Sequence, residues 1–246
     1  MLRSIEALSS LAIHATDGEL GRVTECYFDD ETWTVRYLVV RTGSWFSGRD
    51  VLLTPAVVTE VDWSGGRVNV ALTMDQVRES PDVSTDRPVS RLQEIEYLRY
   101  YDQPPYWMLG AEVGGAAVAL DAAMRAAAAE AEAGGAPPPT HLRSSREVRS
   151  YHVDAADGPI GHVKDFLVDC ADWRIACIVV DPSRWKFNDE VVVEPSRVAR
   201  VSWGERSLHL RLPREAVRTA PHYTGPDAVT PGFLDSLRQH YDGAGQ

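Results

Sequence analysis

Asp17-Gly18-Glu19-Leu20-Gly21-Arg22-Val23 returns later in the chain as Asp157-Gly158-Pro159-Ile160-Gly161-His162-Val163. Working outward from this pair, an offset of 140 residues aligns two halves without a gap. Leu2-Arg3-Ser4 falls on Leu142-Arg143-Ser144, and Val39-Val40 on Val179-Val180. Trp33, Trp45, Pro55 and Trp63 fall on Trp173, Trp185, Pro195 and Trp203. Three matched tryptophans are not a product of chance composition, so the chain is read as two homologous domains.

Each half is dense in strand signals. Asp17-Gly18 and Asp157-Gly158 are hairpin-type turns, because glycine tolerates positive φ. Val35, Tyr37 and Val39 share one face of a strand, as do Ile175, Cys177 and Val179 in the second half. Val68, Val70 and Leu72 alternate with polar or small residues, and so do Leu208, Leu210 and Leu212. Period two with one apolar face predicts short strands around a small core. Several such strands in each half suggest a small β-barrel, a closed form without exposed edges. A helix is expected after each barrel. Ser90 precedes an apolar stripe of Leu92, Ile95, Leu98 and Tyr101. Thr230-Pro231 supplies an N-cap and a first-turn proline before Leu234, Leu237 and Tyr241.

The expected organisation is a barrel over 1–82, a helix and aromatic segment over 83–109, and a linker over 110–140. A second barrel follows over 141–222, then a C-terminal helix and tail over 223–246. The linker holds an alanine run, read as a lone helix over 116–132, and Gly134-Gly135-Ala136-Pro137-Pro138-Pro139, read as a tether.

The quoted runs, with Arg36-Tyr37-Leu38-Val39-Val40 and Trp45-Phe46-Ser47-Gly48-Arg49-Asp50-Val51-Leu52-Leu53-Thr54-Pro55, resemble the PRC-barrel domain. The second half repeats the pattern at Ile178-Val179-Val180 and Val191-Val192-Val193-Glu194-Pro195. The resemblance covers roughly 2–82 and 142–222, and the whole chain looks like the tandem bacterial members of that family. It implies two small, strongly bent β-barrels used for protein contacts in assemblies. The reaction centre H subunit and the ribosome-maturation factor RimM carry the same domain. The sequence is not expected to supply the H subunit's membrane helix or RimM's separate N-terminal barrel.

Composition excludes several classes of function. The 246 residues hold 25 Lys+Arg against 36 Asp+Glu, a net charge of -11. An acidic chain is a poor polyanion binder. Charge is uneven: residues 1–108 hold 10 basic and 17 acidic groups, residues 141–246 hold 14 and 15. No apolar run is long enough to span a bilayer, and Met1-Leu2-Arg3-Ser4-Ile5-Glu6 lacks the apolar stretch of a secretory signal. Cys26, Cys170 and Cys177 are too few and scattered for a disulfide framework, so a cytoplasmic location is expected.

No catalytic signature, nucleotide loop or metal-ligand spacing is present, and a non-enzymatic chain without metal or cofactor is expected. Asp29-Asp30-Glu31 reads as solvated turn acids, His152 and His162 as surface histidines, and Cys177 as a core position. Arg197, Arg200, Arg206, Arg211, Arg214 and Arg218 form a modest basic patch, read as strand-exposed arginines with an anion or RNA site as the sharper alternative. The aromatics say most about binding. Tyr100, Tyr101, Tyr106 and Trp107 crowd the end of the first helix, and Trp45, Phe46 and Trp185 sit at matched loops. They are the candidate interaction residues, since aromatics dominate interface hot spots. Pro104-Pro105-Tyr106-Trp107 is expected to pack against a barrel other than its own, within the chain in preference to a homodimer mate. The leading function is a protein-interaction scaffold. The alternatives are an RNA or ribosome factor by resemblance to RimM, a photosynthetic-complex protein by resemblance to the H subunit, and a small-ligand protein or enzyme with its site between the barrels.

Overall fold

The computed structural model describes residues 1–43, 48–81, 91–108, 118, 121–126, 141–182 and 190–244. Its first half runs β1 (Leu2–Ser4), α1 (Ile5–Leu8), β2 (Ala12–His14), β3 (Glu19–Asp29), β4 (Thr34–Thr42) and β5 (Asp50–Leu53), then β6 (Val58–Asp62), β7 (Arg67–Val70), α2 (Met74–Arg78) and α3 (Arg91–Tyr100). The second half repeats this order as β8 (Leu142–Ser144), α4 (Ser145–Val148), β9 (His152–Ala155), β10 (Gly158–Asp169), β11 (Arg174–Asp181) and β12 (Val191–Val193). It ends with β13 (Val198–Ser202), β14 (Ser207–Leu210), α5 (Arg214–Arg218) and α6 (Pro231–Gly243). The chain is mainly β. Linker residues 121–126 are helical; the rest of the expected 116–132 helix, apart from 118, lies outside the described residues.

Local chemistry explains the elements. The Asp17 and Asp157 side chains reach past their turns and accept the Met74 and Arg214 amides, which open α2 and α5. Thr73 and Gln76 form a capping box on α2. Thr230 caps α6 by accepting the Phe233 amide, with Pro231 in the first turn, as its sequence predicts. Gly66 takes the left-handed conformation in the β6–β7 turn (φ 67), and Arg206 takes it in the second half (φ 49).

Two separate closed barrels are not what the strands form. All fourteen described strands belong to one mixed sheet whose main path runs β13-β14-β9-β10-β11-β4-β3-β2-β7-β6. The halves are joined because they exchange their first strands. Leu2, Arg3 and Ser4 pair with Asp169, Val168 and Leu167, while Leu142, Arg143 and Ser144 pair with Asp29, Phe28 and Tyr27. Between these crossings the β3–β4 and β10–β11 hairpins meet tip to tip. The Val35 amide donates to the Trp173 carbonyl and the Ile175 amide to the Trp33 carbonyl, each at 2.8 Å. Phe28 and Phe166 meet at the same place with centroids 5.2 Å apart, and one apolar cluster runs through both halves. The path ends on β6 and β13, and each carries a bulge at the matched positions Thr59 and Ala199. Such a bulge blunts an open edge against further pairing.

The single-apolar-face reading fails for β4, which is buried on both sides. Leu38 and Val40 enter the main core, whereas Tyr37 and Val39 face Tyr97 of α3. The helices after the two halves grip the same carbonyl with different residues. Tyr97 donates its hydroxyl to the Leu52 carbonyl, and Tyr241, one turn further along its helix, donates to the matched Val192 carbonyl.

The matched tryptophans also part company. Trp33 and Trp173 are buried in left-handed turn positions (φ 53 and 60). Trp63 is half-buried beneath the Arg3 guanidinium, 5.3 Å from its ring centroid. Trp203 is 49% exposed with its indole N–H on Glu147. Trp33→Ala is expected to cost about 3–5 kcal/mol, and Trp203→Ala less than about 1 kcal/mol. Denaturant midpoints check this, and equal losses would contradict it.

The crossings bury a matched pair of carboxylates. Glu25 accepts from the Ser144 hydroxyl and pairs with Arg146. Asp165 accepts from the Ser4 hydroxyl and the Glu6 amide, and Glu6 stands where Arg146 stands in the other crossing. Burial raises the Asp165 pKa, against the lowering effect of its hydrogen bonds. A carboxyl raised in the folded state favours folding when protonated, so its ionisation costs stability as pH rises from the unfolded to the folded value. Asp165→Asn is therefore expected to raise the melting temperature at neutral pH and to flatten its dependence on acidification. A lower melting temperature at neutral pH would show that the ionised form is the favoured one.

Candidate interaction sites at the junction of the halves

The aromatic cluster after α3 is mostly turned inward. Helix α3 ends in a Schellman motif: the Asp102 amide donates to the Arg99 carbonyl and the Gln103 amide to the Leu98 carbonyl. Asp102 holds the left-handed position (φ 51) that glycine usually takes. The chain then turns back through Pro104 and Pro105. Tyr106 lies under Arg36, whose guanidinium carbon is 4.0 Å from the ring centroid, and donates its hydroxyl to Glu94 at 2.9 Å. Glu94 is completely buried and also accepts from Tyr37 at 3.3 Å. Burial beside this carboxylate pushes the Tyr37 phenol well above its ordinary value. Trp107 packs edge-on to Tyr106 at 4.8 Å and borders a small cluster of Ile95, Leu98 and Ala123.

The expectation that Pro104–Trp107 packs on the other barrel is therefore corrected. The segment folds back on its own half because the left-handed turn at Asp102 reverses the chain within reach of Arg36. Tyr101 is half-buried against Tyr97 at 5.2 Å. Among the named aromatics that are described, Tyr100 alone is exposed, with its hydroxyl on the Gln76 carbonyl. Trp45, Phe46 and Trp185 lie outside the described residues.

The acidic triplet is a turn stapled from the other half. Asp29 accepts the Glu31 and Thr32 amides. Asp30 pairs with Arg143 at 2.7 Å and His141 at 3.1 Å, and Glu31 with His141. Burial raises the Asp30 pKa while Arg143 and His141 hold it down. Among the described residues no cluster of His, Cys, Asp and Glu is arranged to hold a metal ion. All three cysteines are free thiols; Cys177 is buried, as expected, and its pKa is pushed up to about 12 by burial.

The six arginines do not form a free cationic patch. Arg197 pairs with Asp242, Arg200 with Glu205, Arg214 with Asp157 and Arg218 with Glu215. Arg206 donates to the Ser150 hydroxyl and Arg211 to the Ser196 carbonyl.

Two recesses flank the meeting hairpins. One, of about 250 Å³, lies between the first half and the Pro104–Tyr106 turn, with Asp172 and Trp173 reaching in from the second half. Thr54 lines it, and its buried hydroxyl has no hydrogen-bond partner. The other is an open groove of about 990 Å³ between the 30–34 turn and β11, β13 and α6. A third recess, of about 900 Å³, holds a contact the sequence reading missed. His209 Nε2 lies 2.8 Å from Ser207 Oγ and 3.3 Å from Glu205, with Asp154 3.9 Å from its other nitrogen. Ser207 and His209 stand two apart on one strand face, and that spacing was the available signal. The serine is buried and Glu205 competes for the nitrogen that would take its proton, so the group does not present a nucleophile.

No described helix is long and apolar enough to cross a membrane. No family model matches the chain. An uncharacterized protein of Deinococcus radiodurans is 34% identical over 80 residues, a stretch that covers 32% of this chain and 28% of that protein.

Proposed function

We propose that the chain is a non-enzymatic, protein-binding scaffold built from two PRC-barrel-type repeats. The reciprocal exchange of Leu2–Ser4 and Leu142–Ser144 carries this reading. It ties the repeats into one body and sets a broad groove, lined from both halves, at their junction. Within each half the strands follow the same order, β6-β7-β2-β3-β4-β5 and β13-β14-β9-β10-β11-β12, which supports the repeat. The groove mixes apolar floor with charged rim, the composition of a recognition surface. The ribosome-linked alternative, drawn from the resemblance to RimM, would need a basic surface such as the 197–218 arginines, and four of those guanidiniums are already held by carboxylates.

Affinity purification of the full chain from its native cells, with and without nuclease, tests the reading. A protein retained at fixed stoichiometry after nuclease is expected. RNA as the sole companion, or turnover of a small molecule by the purified chain, would overturn it.

A further inference from the structure

The small cavity and the open groove are the same place in the two repeats. Arg36, Thr54, Pro55 and Leu98 on the wall of the first fall on Ala176, Glu194, Pro195 and Arg238 on the wall of the second. Trp173 borders the first from across the junction and Trp33 borders the second. In the first half the chain plugs this place itself. The turn at Asp102 delivers Tyr106 onto Arg36 and Pro104 to the same wall, and about 250 Å³ is left over.

The second half makes no such plug among its described residues. Helix α6 runs on to Gly243, where α3 has already stopped and turned. The residues matched to Gln103 and Pro104 are Gly243 and Ala244. Among the described residues no ring lies on Ala176 as Tyr106 lies on Arg36, and the space is about 990 Å³.

The two walls differ in chemistry. Glu94 and Tyr37, which hold the Tyr106 hydroxyl and its acceptor, are replaced by Leu234 and Cys177. The second floor is thus suited to an apolar ring, on Ala176, Leu234 and Pro195. Its rim carries both signs, with Asp30, Glu31, Asp169, Asp172 and Glu194 beside Arg174, Arg200, Arg211 and Arg238. Arg238 is matched by Glu194, but Arg174 makes no ion pair among the described residues and Arg211 donates only to a carbonyl.

We infer that this groove docks an extended segment of a partner protein that carries an aromatic residue beside a proline, the chemistry that fills the matched place in the first half. The inference rests on the protein-binding reading above and names its site. A second copy of the chain is the poorer occupant, because its own Pro104–Trp107 segment would have to leave Arg36 and Glu94 to reach the groove.

Short random peptides displayed on phage, panned against the full chain, supply the probe. Enriched peptides should combine an aromatic ring with a neighbouring proline. Ala176→Arg places in the groove the residue that the first half already carries at that position, so folding should be kept, as checked by circular dichroism. It should weaken the selected peptides by at least about tenfold. Arg36→Ala, in the matched recess of the first half, should leave binding unchanged. Failure to enrich, or binders indifferent to Ala176→Arg, would overturn the assignment. So would a dimer in light scattering that Ala176→Arg turns into a monomer, since the occupant would then be a second copy. If the native partner stays bound to the Ala176→Arg chain, the groove is wrong and the scaffold reading stands. If no protein partner is captured by either chain, the scaffold reading itself fails.

Discussion

A chain cut within residues 127–140 is expected to remain one particle. A protease site placed there and cleaved should give two fragments that run together in gel filtration at the mass of the intact chain. The reason is the strand exchange: each half holds three residues of sheet that belong to the other, and the Phe28–Phe166 contact lies between the crossings. Truncating a buried phenylalanine of this kind to alanine alone costs about 3–5 kcal/mol, a large share of a domain's stability. Each half expressed alone should either unfold or form a homodimer. The dimer is available because the two crossings share one register: Leu2 on Asp169 and Leu142 on Asp29 are the same pairing displaced by the repeat. Two copies of one half can therefore exchange first strands with each other. An isolated half that is monomeric and melts as cooperatively as the whole chain would refute this.

Gly161→Ala and Gly21→Ala are expected to be the most damaging of the small substitutions. A Cβ at Gly161 would sit 1.9 Å from the Asp181 carbonyl oxygen, and one at Gly21 2.0 Å from the Arg41 carbonyl oxygen. Both obstacles are backbone of the neighbouring strand, so no flexible side chain can yield. Overpacking of this kind typically costs about 1–3 kcal/mol and here belongs at or beyond the upper end. Gly21 also sits at φ 150, where a side chain adds strain. Gly204→Ala is the control: a Cβ there meets nothing within 4 Å, and the change should lie within about 0.5 kcal/mol of neutral. Urea midpoints of the three variants test the ranking, and an unchanged midpoint for Gly161→Ala would contradict it.

These glycines show how far the sequence alone reaches. Gly21 and Gly161 are legible as matched positions because a close backbone approach tolerates only glycine, whichever half it occurs in. The Asp17-Gly18 and Asp157-Gly158 turns, the alternation along β7 and β14, and the Thr230-Pro231 start of α6 are legible for the same reason. Each is set by a few neighbouring residues and the backbone conformation they permit. The candidate aromatics were legible as a cluster, but their side was not. Tyr106 faces its own half because of a left-handed Asp102, a conformation aspartate tolerates but takes here only because the end of α3 closes on the Arg99 and Leu98 carbonyls.

Local sequence thus determined the repeat, its turns, its strands and its capped helices. Tertiary structure decided which half each first strand serves. Leu2-Arg3-Ser4 would meet the same register on Tyr27–Asp29 as it does on Leu167–Asp169, so local pairing preference is nearly equal for both. The choice is made by what only the whole chain brings together: the facing Phe28 and Phe166, the hairpin tips bonded through Trp33 and Trp173, and Asp30 held by Arg143. The same long-range packing separates Trp63 from Trp203 and the plugged recess from the open groove. Identical local signals end in different surroundings because burial depends on residues far away in the sequence.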